Sequence, residues 1–81
     1  MKYIYTTQGT CSRSIEINIE NGHVLNVSFA GGCHGNLQGI CALVKGMEVD
    51  EVIRRLSGIR CGTKSTSCPD QLARALKEIK R

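Results

Sequence analysis

The sequence predicts an α+β fold: a three-stranded antiparallel sheet in hairpin and meander order, followed by about three helices packed on one of its faces. Three observations carry that prediction. Residues 14–29 alternate apolar and polar side chains with a period of two. Three later segments repeat apolar residues at i, i+3, i+4 and i+7. All the strand-like stretches precede all the helix-like ones, the order expected when helices cover one side of an antiparallel sheet.

The first strand is expected over "YIYTT", residues 3–7. In "SIEINIENGHVLNVSF", Ile15, Ile17 and Ile19 alternate with Glu16, Asn18 and Glu20, and Leu25, Val27 and Phe29 alternate with Asn26 and Ser28. Parity constrains the turn between them. A two-residue Asn21-Gly22 turn sets Ile17 opposite Asn26 and sends the two apolar sets to opposite faces, because a slip of one residue flips a strand. A three-residue loop, Glu20-Asn21-Gly22 with Gly22 left-handed, pairs Ile17 with Leu25 and Ile15 with Val27, and is the expected connection. His23 then opens the third strand, exposed.

Leu37, Ile40, Cys41 and Val44 form the stripe of the first helix, closed by Gly46 after Lys45. Val49, Val52, Ile53 and Leu56 form the second, closed by Gly58. Leu72, Ala75, Leu76 and Ile79 form the third, with Pro69 in its first turn and Ser67 and Asp70 at capping-box spacing. The whole chain, residues 1–81, is expected to form one domain, because a chain of this length has room for a single core and is often marginal without a disulfide or metal staple.

"MKYIYTTQGT" lacks a signal-peptide pattern, and no apolar run approaches the ~18 residues of a membrane span, so a cytoplasmic protein is expected. Five cysteines, an odd number, without an export signal argue against a disulfide framework. The net charge of +4 is segregated. Residues 1–53 hold three Lys/Arg against five Asp/Glu, and residues 54–81 hold eight against two. That asymmetry fits a solvated helix face or an anionic partner, thiolates included. Nucleic acid is disfavoured, since two Tyr and one Phe give the basic residues nothing to interleave with.

If the hairpin ladder is extended, residue 11 falls near residue 31, which brings Cys11 and Cys33 to one end of the sheet. Cys33 and Cys68 both stand at predicted helix starts, where unpaired N–H groups and about half a positive charge favour thiolate. Cys61 lies seven positions before Cys68, close enough to share a site, and Arg60 and Lys64 flank it. Cys41 falls in the first helix's apolar stripe and reads as core. Cys11, Cys33, Cys61 and Cys68 therefore suit zinc or an iron–sulfur cluster, although no C-x-x-C occurs. A redox pair and scattered structural cysteines stay open beside that reading. His34 is either a substitute ligand or a polar residue of the first helical turn. Gly31, Gly32 and Gly35, with His34, Asn36, Arg60 and Lys64, offer an alternative anion site for a nucleotide or flavin.

"GTCS", "GGCHGNLQGI" and "TSCPD" (residues 66–70), set in "YTTQGTCS" through "RCGTKSTSCPDQLARAL", resemble the TSCPD domain in its small stand-alone four-cysteine form. The resemblance implies Cys11, Cys33, Cys61 and Cys68 as the hallmark set and leaves Cys41 outside it. It also implies kinship with a C-terminal domain of some ribonucleotide reductases, although 81 residues cannot build the reductase barrel. A fainter similarity links the element order and the "GC" at a helix start to U-type iron–sulfur scaffold proteins, which use three cysteines with an acidic or histidine partner; here Cys33 and Cys68 match, Cys61 departs from the pattern, and Cys11 is an addition. The expected function is thus a cysteine-cluster metal module, zinc first and iron–sulfur second, not an enzyme by itself. Ribonucleotide reductase or another redox enzyme is the implied partner, with a homodimer left open. The alternatives are a thiol–disulfide partner exchanging through Cys61 and Cys68, and the nucleotide or flavin module.

Overall fold

In the computed structural model, described over residues 1–10, 12–32 and 34–80, three strands precede three helices: β1 (Lys2–Thr6), β2 (Ser12–Glu20), β3 (His23–Gly31), α1 (His34–Val44), α2 (Val49–Leu56) and α3 (Cys68–Lys80). The sheet is antiparallel in the order β1-β2-β3. Its inner face presents Ile15, Ile17, Val24 and Val27, which join Val44, Val49, Val52, Leu72, Ala75 and Leu76 in one core. Each predicted helical stripe faces this core: Leu37 and Val44 from α1, Val49 and Val52 from α2, and Leu72, Ala75 and Leu76 from α3 are buried. Ile40, Cys41, Ile53, Leu56 and Ile79 pack partly buried against it.

The β2–β3 connection corrects the sequence expectation. Glu20 pairs with His23, so the turn holds two residues, Asn21 and Gly22, with φ of 54° and 76°. Both lie in the left-handed region, the twist-matched hairpin turn that Asn-Gly favours. The parity conflict is resolved four residues later. Asn18 pairs with Asn26 and Ile19 with Val24, so Leu25 has no partner on β2. This β-bulge places Ile17 opposite Val27 and Ile15 opposite Phe29, restoring the apolar face with Val24 in Leu25's expected role. Val24 is fully buried, whereas Leu25 is 38 % exposed. The extra residue needed by parity exists, but in the strand and not in the loop. His23 is exposed at the start of β3, as expected, and its Nδ1 lies 2.9 Å from the Asn21 carbonyl oxygen.

The far edge of β3 is partly covered near the turn. The Val24 N–H donates to the Met47 carbonyl at 2.8 Å and the Gly46 N–H to the Val24 carbonyl at 2.7 Å. At the other end of the hairpin the ladder runs through Ser14 and Ala30 to Ser12 and Gly31, skipping Arg13. Cys11 and Cys33 lie outside the described residues, so the expected approach of residue 11 to residue 31 falls there too. No helix among the described residues is long and apolar enough to cross a membrane.

Candidate functional site

The open end of the hairpin meets the start of α3. The link is a contact between Ser12, the first residue of β2, and Cys68, the first residue of α3: Ser12 Oγ and Cys68 Sγ are 3.2 Å apart. Ser12 is 4 % exposed. Its hydroxyl also lies 3.1 Å from Thr10 Oγ1, and its carbonyl accepts from Thr7 Oγ1 at 2.5 Å. A second link comes from the β1–β2 connection, where the Gln8 N–H donates to Gln71 Oε1 at 3.1 Å. A Cβ added to Gly9 would come within 3.2 Å of Thr66 Cγ2, so this connection lies directly on the segment before α3.

That segment is held by its own polar residues, each with a distinct task. The Thr66 carbonyl accepts from the Cys61 N–H at 3.2 Å, and the Cys61 carbonyl accepts from the Lys64 N–H at 3.0 Å, folding residues 61–66 into a tight loop. Thr66 Oγ1 donates to Asp70 and accepts from Gln71 Nε2 at 3.0 Å. Ser67 caps α3 by accepting the Asp70 N–H at 3.1 Å, and donates to the Ile59 carbonyl at 2.6 Å. Pro69 sits in the first turn, where its missing N–H has no intrahelical partner to lose. Asp70 does not close the predicted capping box backwards. Its carboxylate instead accepts from the Gly58 N–H at 2.7 Å, from Thr66, and from Arg74 at 2.9 Å. Burial alone would raise the Asp70 pKa; the bonds from Thr66 and Gly58 and the Arg74 charge outweigh it, and the carboxyl is held below its ordinary range. Among the described residues no buried side-chain nitrogen or oxygen lacks a partner.

Cys61 and Cys68 open onto a common cleft of about 300 Å3, walled by Asn36, Leu37 and Ile40 of α1 and by Ile59, Ser67 and Pro69. Cys61 is exposed and Cys68 half-buried. Arg60 lines the same cleft, and among the described residues neither Arg60 nor Lys64 is paired with a carboxylate. Cys41 packs partly buried against the core, and burial pushes its thiol pKa up, in keeping with a structural role.

Of the residues singled out by sequence, the structure thus brings Cys61, Cys68, Asn36 and Arg60 to one cleft, with Lys64 in the adjoining loop. His34 begins α1. Gly31 ends β3 opposite Ser12. A Cβ on Gly32 would lie 2.8 Å from Leu37 Cδ1 and 3.4 Å from the Ser12 nitrogen, so packing of α1 on β2 accounts for that glycine. Gly35 has open space around it. Among the described residues no three of His, Cys, Asp and Glu gather at one point. Cys61 and Cys68 thus share a cleft, while Cys11 and Cys33, the other two cysteines of the expected set, lie outside the described residues. Sequence reasoning missed Ser12, Thr66 and Gln71. The signal available for them was a run of small polar residues flanking two cysteines, a pattern shared with ordinary loops.

A family model described as the TSCPD domain matches residues 1–80. No curated protein and no solved structure matches the chain.

Proposed function

We propose, on the premise that the chain belongs to the TSCPD domain family, that it is a cysteine-thiolate metal-binding module, with zinc as the first metal and an iron–sulfur cluster as the second. The observation that carries this reading is that Cys61 and Cys68 line one cleft and that described residues flanking Cys11 and Cys33 in sequence adjoin it. Cys61 and Cys68 line that cleft. In sequence Cys11 stands between Thr10 and Ser12, whose hydroxyls lie 3.1 Å apart, with the Ser12 hydroxyl 3.2 Å from Cys68 Sγ. Cys33 stands between Gly32, which abuts Ser12 and Leu37, and α1, whose Asn36 and Leu37 wall the cleft. Thiolates are the donor set zinc and iron–sulfur clusters prefer, and a closed four-thiolate zinc site stabilises a fold without opening a position for substrate water. Arg60 and Lys64, which have no carboxylate partner among the described residues, suit the negative charge such a site carries. A role beside a ribonucleotide reductase or another redox enzyme is the partner class that the family resemblance suggests.

Metal quantitation and absorption spectroscopy on anaerobically purified protein test the reading. About one equivalent of zinc, or a broad brown absorption with bound iron, is the expected result. Zinc and iron together below roughly a tenth of an equivalent would overturn it.

A second reading, a thiol–disulfide exchange partner, is favoured by one feature: Cys61 is exposed while sharing its cleft with Cys68. It predicts two thiols that titrate readily without chelator and oxidise reversibly. Thiols that react only after chelator is added would select the metal reading instead.

A further inference from the structure

The two edges of the sheet differ. The free side of β3 is partly covered near the turn by Gly46 and Met47. β1 forms the opposite edge, and among the described residues only β2 pairs with it. The phase of its hydrogen bonds shows which backbone groups are left over. The Met1 amino group donates to the Ile19 carbonyl at 2.7 Å, and the Ile19 N–H donates to the Met1 carbonyl at 2.9 Å. Further along, the Thr7 N–H donates to the Arg13 carbonyl at 3.1 Å. In an antiparallel ladder bonded pairs alternate with non-bonded ones. Tyr3 and Tyr5 therefore bond to β2 in phase with Met1 and Thr7, and the N–H and C=O groups of Lys2, Ile4 and Thr6 point away from the sheet. The usual protections of such an edge are absent from "KYIYT": it has no proline, no bulge against β2 and no inward charge. Ile4 is 71 % exposed on the outer face. On the inner side Tyr3 and Tyr5 are half-buried, beside a cleft of about 330 Å3 bounded by Ala75, Glu78 and Ile79 of α3.

We propose that β1 is a self-pairing edge: two copies of the chain join antiparallel along β1, about a two-fold axis at Ile4, into one six-stranded sheet. The occupant is a second copy because the strand is complementary to itself. Pairing about Ile4 sets Ile4 against its own copy and Lys2 against the second copy's Thr6. Every outward N–H and C=O of the strand then meets a counterpart in phase, which no other antiparallel register of these five residues achieves. The side chains agree with that register. On the inner face Tyr3 falls opposite the second copy's Tyr5, an aromatic cross-strand pair of the stabilising kind. On the outer face the two Ile4 side chains cover each other. Each Lys2 faces a threonine and keeps Glu16 of its own chain at 3.2 Å, so no like charges meet across the seam. The contact uses the same strand of both copies and therefore closes at two. It does not depend on the metal-binding reading.

Sedimentation velocity and amide hydrogen exchange on the full chain, under reductant, test the pairing. Wild type is expected to be mainly dimeric at about 100 μM and to dissociate on dilution, as a small non-obligate interface does. In the dimer the Ile4 and Thr6 amides should exchange severalfold more slowly than in diluted protein, while the Tyr3 and Tyr5 amides stay protected at both concentrations. Ile4→Lys sets two ammonium groups face to face across the axis and leaves Glu16 as a neighbour within each copy. It is expected to be monomeric, with an unchanged circular dichroism spectrum and a fast-exchanging Thr6 amide. A wild type that stays monomeric at the higher concentration would overturn the proposal. So would a folded Ile4→Lys that still dimerises. A dimer whose Ile4 and Thr6 amides exchange as in the monomer would also overturn it, since another surface would then hold the copies together. The wild-type exchange pattern decides the matter even if Ile4→Lys does not fold.

Discussion

Asp70 is 4 % exposed, and its carboxylate joins Gly58 at the end of α2 to Thr66 before α3 and Arg74 within it. Asp70→Ala would leave the Gly58 N–H and the Thr66 hydroxyl without acceptors. It is expected to cost about 3 kcal/mol, measured by urea unfolding at pH 7. The folded carboxyl is held below its ordinary range, where the unfolded value is about 3.9. Its contribution is therefore present in full above about pH 4 and is lost as the pH falls through the folded value. Comparing wild type with Asp70→Asn should show a stability gap at pH 7 that narrows on acidification toward pH 3; a constant gap would contradict the assignment. Glu51 follows the same sign, held at about 2 by hydrogen bonds and charge from Arg54 and Arg55, but it lies at the surface, where salt screens it. Gly32 is another single-residue test. Its φ is 85°, and an added methyl would meet Leu37, so Gly32→Ala is expected to lower stability by about 1–3 kcal/mol in the same assay. The capping spacing of Ser67 and Asp70 was legible in the sequence. The turn of Asp70 toward Gly58 was not, because it depends on where α2 ends in space.

At the level of elements, the bulge at Leu25 absorbs the one residue that a two-residue turn leaves over between β2 and β3. Removing Leu25 would place Asn26 directly after Val24 and keep Ile19 opposite Val24, Asn18 opposite Asn26 and Ile17 opposite Val27, so the two inward sets would still agree. The deletion is expected to retain cooperative unfolding by circular dichroism; loss of cooperativity would show that the bulge itself is required. Leu25→Thr, at a residue outside the core, is expected to stay within about 0.5 kcal/mol of wild type. By contrast, Ile17→Ala, at a fully buried neighbour, is expected to cost about 2–5 kcal/mol. The alternation made the strands readable, and the i, i+3, i+4, i+7 stripes did the same for α1, α2 and α3. The bulge stayed hidden because Val24 and Leu25 are both apolar, and only tertiary packing decides which of two adjacent aliphatic residues turns inward.

At the level of the molecule, the proposed metal-binding reading makes metal binding and folding one equilibrium. Zinc free at a hundred times its dissociation constant would add about 2.7 kcal/mol to stability, and a domain of this size would then melt about 10–20 °C higher. Thermal unfolding with and without chelator checks this; identical melting curves would argue against a structural metal. The shared region of Cys61 and Cys68 could be anticipated from their short separation in sequence. The contribution of Ser12 could not, since 56 residues separate it from Cys68 and no local pattern joins them. That separation also makes the sulfur at position 68 a timer. The Ser12–Cys68 contact forms only when α3 meets the start of β2, so pulse-labelling this thiol during refolding would time that docking step.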